Sequence, residues 1–284
     1  MTDNFGGLEK KYSEYCSSKY VILPVPYDET STWVKGADKG PLRIIEASSN
    51  MELYDIETGA EIFKKGIHTL PFLEIRKDPD VLFELIRSNV KQLLDENKFS
   101  VVIGGNHTVS IGAMKAHIDF FENVTILQLD AHADMRETYN GSKYNHACVM
   151  ARVKEWTKPV LAGIRSMDSS EIPNVKEAII FYADELLNDP GCVNEILGFL
   201  TENVYITIDL DVFDPSIMPS TGTPEPGGLT WYGVINLLKK TAQNRNIVGF
   251  DVVELCPNPY NKAPDFLAAK LIYTLMTYID VYSS

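Results

Sequence analysis

A chain of 284 residues with 45% hydrophobic and 23% charged side chains reads as one ordinary globular α/β-sized unit, not a repeat array or a disordered chain. Its formal net charge of -13 argues against nucleic acid or an anionic membrane as partner, since both reward Lys and Arg, and is compatible with a cationic substrate that a negative field concentrates. Cys16, Cys148, Cys192 and Cys256 are scattered without a CxxC, which excludes a cysteine zinc site or disulfide framework; with no apolar signal core and no unbroken apolar stretch of ~18 residues, the expectation is a reduced, cytoplasmic protein.

In chain order, Tyr20 to Val25 is the first short apolar run. A helical stripe of Leu82, Ile86, Val90, Leu93 and Leu94 follows, then runs at Val101 to Ile103, Val124 to Leu129 and Pro159 to Ile164. Val193, Ile196, Leu197 and Leu200 form a second stripe after the Asp189-Pro190 start signal. Beyond the run Val204 to Ile208, Thr230 can cap a helix carrying Val234, Leu237 and Leu238. The run Ile247 to Val253 precedes a final helix with Leu271, Ile272, Leu275 and Ile279, for which Asp265 is the expected cap. The strand runs are apolar at both parities, as in a parallel sheet covered on both faces. Strand and helix alternate without a linker, so residues 1–284 read as a single wound α/β domain. The Pro/Gly-rich stretches Pro215 to Gly228 and Cys256 to Pro264 each follow a strand. They read as active-site loops, because ligands of open parallel sheets bind beyond the carboxyl ends of the strands.

Four of these strands end in polar residues that need a partner: Asn106-His107, Asp130-Ala131-His132-Ala133-Asp134, Asp209-Leu210-Asp211 and Glu254. While the chain stays extended, positions i, i+2 and i+4 face one side, so Asp130, His132 and Asp134 converge, as do Asp209 and Asp211. Gathering these carboxylates without a cation would be severely unfavourable. Two divalent ions cancel the four aspartate charges, and His107 and His132 add neutral ligands. Mostly oxygen donors with two imidazoles suit Mn²⁺.

The strings GGNHTVSIG (Gly104 to Gly112), LDAHADMRETYNG (Leu129 to Gly141) and TIDLDVFDPSIMPSTGTPEPGGLTW (Thr207 to Trp231) resemble the ureohydrolase family of arginase and agmatinase. So do PYDETSTWVKGADKGP (Pro26 to Pro41), NHACVMARV (Asn145 to Val153), GIRSMD (Gly163 to Asp168) and GFDVVELCP (Gly249 to Pro257), and the likeness spans nearly the whole chain. The resemblance implies a three-layer domain with an eight-stranded, mostly parallel sheet between helices, a Mn²⁺ pair, and a homotrimer or homohexamer. It assigns His107, Asp130, Asp134 and Asp209 to one ion, and Asp130, His132, Asp209 and Asp211 to the other. One departure is Asn106, where family members usually have an acid.

With two Mn²⁺ ions, the expected reaction is attack of metal-bridging hydroxide on a guanidinium carbon, releasing urea and an amine. Asp134 would hydrogen-bond the nucleophile and pass on its proton, Glu254 would pair with the guanidinium, and His146 would shuttle protons at the mouth. The segment Met135 to Met150, with Arg136 and Tyr139, and the run TPEPGG resemble agmatinases more than arginases. The expected substrate is therefore agmatine, giving putrescine for polyamine biosynthesis. Aminopropyl-agmatine, arginine and a guanidino acid are the alternatives, the last supported by Arg136, Lys143 and Arg152 as carboxylate partners. A catalytically silent metal-binding subunit, structural or regulatory, is the alternative of another class.

Overall fold

A computed structural model describes residues 4–282. Its sheet has eight strands: β1 (Tyr20–Val25), β2 (Ile67–Thr69), β3 (Phe99–Gly104), β4 (Val124–Leu129), β5 (Val160–Ile164), β6 (Ile179–Tyr182), β7 (Asn203–Asp209) and β8 (Asn246–Val253). They lie in the order β2-β1-β3-β8-β7-β4-β5-β6. Every pairing is parallel, so the sheet is wholly rather than mostly parallel. The helices are α1 (Gly40–Ser48), α2 (Pro79–Asp95), α3 (Ser110–Phe120), α4 (Val149–Val153), α5 (Ile172–Val175), α6 (Ala183–Asn188), α7 (Cys192–Phe199), α8 (Trp231–Asn244) and α9 (Ala263–Tyr282). Among the described residues, none of these helices is long and apolar enough to cross a membrane.

The pleat sends alternate side chains into two cores. Val101 and Ile103 of β3, Leu127 and Leu129 of β4, and Val204, Ile206 and Ile208 of β7 enter one core, shared with α1, α7, α8 and α9. Val102, Ile126 and Tyr205 enter the other, shared with α2, α3 and α4. This is a single α/β domain of three layers, and the double burial explains why the strands read as continuous apolar runs.

Helix α2 shows how local signals build a layer. Asp78 caps it by accepting from the backbone N–H groups of Asp80 and Val81, and Pro79 opens the first turn. Leu82, Ile86, Val90, Leu93 and Leu94 form its buried stripe, each side chain contributing about 1.5–3 kcal/mol when fully buried. The helix packs against α3 at Gly112, where an added Cβ would stand 2.7 Å from the Phe83 carbonyl oxygen. Gly112→Ala would force the two helices apart.

Thr230 caps α8 as expected, accepting from Gly233 N. The start of α9 differs from expectation. The helix opens at Ala263, whose N–H is accepted by the Asn261 side chain, and Asp265 lies buried in the first turn instead of capping it. Strands β2 and β6 are edge strands of three and four residues; β2 has no apolar run, and the short run Ile179–Tyr182 of β6 escaped the sequence reading.

Candidate metal centre

Strand order places β3, β8, β7 and β4 side by side at the middle of the sheet. These are the four strands whose carboxyl ends carry the polar residues. After β3, Gly105 fits only because it lacks a side chain: an added Cβ would lie 2.0 Å from the Tyr27 carbonyl oxygen. Asn106 then caps the turn by accepting from Thr108 N, and His107 is buried beneath it. After β4, Asp130 accepts from Gln128 Nε2 at 2.7 Å and from His132 N at 2.6 Å. After β7, Asp209 caps a short 3-10 turn through Asp211 N. Asp211 in turn accepts from Ala131 N at 3.0 Å, tying the β7 and β4 ends together. After β8, the Glu254 carboxylate accepts from His107 N at 2.7 Å.

The expected residues therefore meet, though not by extended periodicity alone. Asp134 reaches the cluster with a left-handed backbone (φ 53), and Glu254 does the same (φ 68). His107 Nδ1 lies 3.1 Å from Asp130, 3.0 Å from Asp134 and 3.5 Å from Asp209 oxygens. His132 Nδ1 lies 3.0 Å from Asp211 and 3.7 Å from Asp130. Two ligand groups result, His107-Asp130-Asp134 and Asp130-His132-Asp211, each with its donor atoms within 4.8 Å of one another. Asp130 belongs to both. Asp209 stands beside the first group without closing it as tightly.

The electrostatics show negative charge crowded at one buried place. His107 Nδ1 is buried and has no hydrogen-bond partner, despite three carboxylates around it. Burial and the Asp130 charge push Asp134 up to about 7. Burial, Asp211 and Asp130 raise Asp209. Burial pushes Glu254 up to about 8, against the pull of the His107 N–H. Burial disfavours the charged His132, yet Asp211 and Asp130 outweigh it and push the ring up to about 12. His107 is raised for the same reason: Asp130 and Asp134 overcome its burial. The shared cause of these shifts is the gathering of buried carboxylates around two imidazoles. Divalent cations fit this donor set.

A cavity of about 300 Å³ opens above the cluster, lined by His107, His132, Asp134, His146, Asp209, Asp211 and Glu254. Trp33, Arg136, Tyr139, Asp168 and Glu171 also line it. Asp130 lies fully buried beneath. His146 sits on a short turn capped by Asn145. Its Nδ1 is 3.2 Å from Thr30 Oγ1, and burial pushes it down to about 4.

Several supporting residues escaped the sequence reading. Arg165, in the GIRSMD string, donates to the carbonyls of Asp211, Glu225 and Pro226 and so holds the TPEPGG loop against the site. Glu171 accepts from Met135 N and Asp168 N. Asp251 lies inside β8, which reads as apolar, and accepts from Ser110, Thr207 and Tyr205 hydroxyls. Thr207 Oγ1 is also 2.9 Å from His107 Nε2. A lone acid within an apolar run was the available signal. Asp214, which precedes Pro215, forms a turn, accepting from Ser216, Gly227 and Gly228 N–H groups. Met135 is fully buried, and Trp231 stacks on Phe213.

A parallel α/β sheet with such a cluster at its carboxyl edge defines a metal-dependent hydrolase class. The Arginase family pattern matches residues 18–278, and the chain belongs to that family of ureohydrolases. It is 38% identical over 277 residues to an N(1)-aminopropylagmatine ureohydrolase of Synechocystis sp., covering 94% of this chain and 90% of the relative. A Thermus thermophilus N(1)-aminopropylagmatine ureohydrolase is 36% identical over 273 residues, with 95% and 92% covered. Among solved structures, the agmatine ureohydrolase of Thermoplasma volcanium superposes with a TM-score of 0.88 at 29% identity, covering 95% of this chain and 92% of the other.

Proposed function

We propose that this chain hydrolyses the guanidinium of an agmatine-like cation to urea and an amine, using two Mn²⁺ ions. The carrying observation is the cation-seeking cluster of four aspartates and two histidines, with the Glu254 carboxylate beside it in one cavity. His107, Asp130, Asp134 and Asp209 would hold one ion, and Asp130, His132, Asp209 and Asp211 the other. Such ions supply Lewis acidity that makes water nucleophilic near neutral pH. Glu254 commits one oxygen to His107 N and offers the other to the guanidinium, whose planar N–H edge suits a carboxylate. Asp134 holds the proton removed from water and returns it to the departing nitrogen. His146 exchanges protons between that amine and solvent through Nε2, its Nδ1 being engaged by Thr30.

The loop likeness favours agmatine as substrate. The higher identity to N(1)-aminopropylagmatine ureohydrolases favours N(1)-aminopropylagmatine, by a small margin. A guanidino acid fits less well. Arg136 lies 3.6 Å from both Asp168 and Glu171, and Arg152 is buried against Glu137 and Glu155. Lys143 lies over the Tyr144 ring, outside the cavity lining. Among the described residues, the one Lys or Arg lining this cavity, Arg136, already faces two carboxylates.

The test is urea release after Mn²⁺ loading, over agmatine, N(1)-aminopropylagmatine, arginine and 4-guanidinobutyrate. Asp130→Ala and Asp209→Ala run in parallel with metal content measured. Both variants should lose metal and activity. Near-normal activity with full metal in either variant would sink the two-ion site, and a wild type silent on every guanidine would leave a metal-binding protein of another role.

A further inference from the structure

Asn106 is completely buried beside His107. We propose that Asn106 is a positioning residue for His146, acting through the Thr30 hydroxyl; this rests on the role given to His146 above. Asn106 Nδ2 donates to Thr30 Oγ1 at 2.7 Å and to Ser31 Oγ at 3.4 Å. Its Oδ1 accepts from Thr108 N at 3.3 Å, which fixes the amide's orientation, because an NH₂ group cannot accept from an N–H. Thr30 Oγ1 also lies 2.9 Å from Thr108 Oγ1 and 3.2 Å from His146 Nδ1.

A hydroxyl has one proton and two acceptor sites. Asn106 can only donate at this contact, so it occupies one acceptor site; with Thr108 Oγ1 donating into the other, the Thr30 proton is free to reach His146 Nδ1. That bond keeps the imidazole proton on Nε2. A carboxylate at position 106 would reverse the first bond, because Thr30 would have to donate to it. The His146 contact would then survive only with Nδ1 as donor and Nε2 bare, the opposite tautomer. The same junction holds the mouth segment, since Asn106 N donates to Tyr27 O and Gly105 N to Val25 O. The amide therefore joins three things that sequence keeps far apart: the turn of His107, the segment of Thr30 and the ring of His146.

The experiment compares Thr30→Val, Thr30→Ser and Asn106→Asp in the Mn²⁺-loaded full chain. It reads metal content, kcat and KM for urea release, and hydrogen–deuterium exchange of residues 27–36. Thr30→Val should lower kcat about three- to tenfold, the worth of one hydrogen bond, with KM within about twofold and metal content unchanged. Thr30→Ser keeps the hydroxyl and should return kcat to the wild-type range. Asn106→Asp should lower kcat as Thr30→Val does, with full metal, and both lowered variants should exchange faster over residues 27–36. Three results would overturn the proposal: Thr30→Ser as impaired as Thr30→Val, Thr30→Val equal to wild type, or Asn106→Asp changing metal content while the metal-saturated kcat stays intact. If the wild type releases urea from no guanidine, the functional reading fails separately. The exchange readout then decides the positioning claim, and unchanged protection in both variants refutes it.

Discussion

Glu254→Gln isolates the charge that this reading gives to the guanidinium. The variant keeps the side chain's size and the left-handed backbone at this position (φ 68). His107 N donates to one Glu254 oxygen at 2.7 Å, so the Gln carbonyl must take that place. Its NH₂ group then stands where the free carboxylate oxygen stood, and donor meets donor when the guanidinium arrives. Losing one partner of a buried charged pair costs about 2 to 5 kcal/mol, so kcat/KM for urea release should fall between about thirtyfold and a few thousandfold. Metal content should stay full. In the metal-free protein the Glu254 carboxyl is raised to about 8 by burial. A raised acid pKa means that the folded state holds a proton the unfolded chain has lost, so the carboxyl destabilises the apo fold progressively as pH rises from about 4.5 to about 8. A neutral amide removes that penalty, and apo Glu254→Gln should melt no lower than the apo wild type at pH 7. Loss of metal would make Glu254 part of the ligand shell. Unchanged kcat/KM would mean that some other group holds the substrate, and the guanidinium reading would go with it.

His146→Asn should cut turnover by about 10² to 10⁴, the usual worth of a proton-transfer group, with metal content intact; unchanged turnover across neutral pH removes His146 from the reaction. Mn²⁺ uptake by the apo protein at pH 7 should release protons, because His107, His132 and Asp209 are all shifted upward and must shed protons to ligate. Affinity should therefore fall as pH falls, and titration heats that do not depend on the buffer's ionisation enthalpy would contradict this. Asp134→Asn should lose metal and activity yet melt like the metal-free wild type, since Asn tolerates the left-handed backbone. Asp134→Ala should melt lower by the equivalent of about 1–2 kcal/mol, and equal melting of the two variants would deny the backbone argument.

How far the fold was legible depended on burial. Six strands read clearly because both of their faces are covered, so apolar residues occupy both parities of Tyr20–Val25 and of Val124–Leu129. The two edge strands did not read. Ile67–Thr69 is three residues long with His68 in its middle, too short to carry a pattern, and the apolar run Ile179–Tyr182 is only four residues long and mostly half-exposed. Caps were legible where the chemistry is unambiguous, as at Thr230. Asp265 misled because an acid is as welcome inside a helix's first turn, near the positive end of its dipole, as at the cap itself.

The site was legible for a different reason. So many carboxylates gathered with imidazoles at the ends of buried strands call for a compensating cation, so their chemistry shows in one dimension. Their meeting does not. Extended spacing explained the pairing of Asp130 with His132, but Asp134 arrives through a left-handed residue and Asp211 through a 3-10 turn capped by Asp209. What brings the four strand ends together is the order β3-β8-β7-β4, which no local pattern encodes. The contacts that tune the ligands are more distant still. Glu254 reaches His107 N across 147 positions, Thr30 reaches His146 across 116, and Asp211 reaches Ala131 N across 80. A side chain such as Thr30, unremarkable in sequence, acquires a role only when strand order lays its segment against the turn of His107. Residue type at a strand end can therefore name the chemistry, while the groups that aim it are visible only in three dimensions.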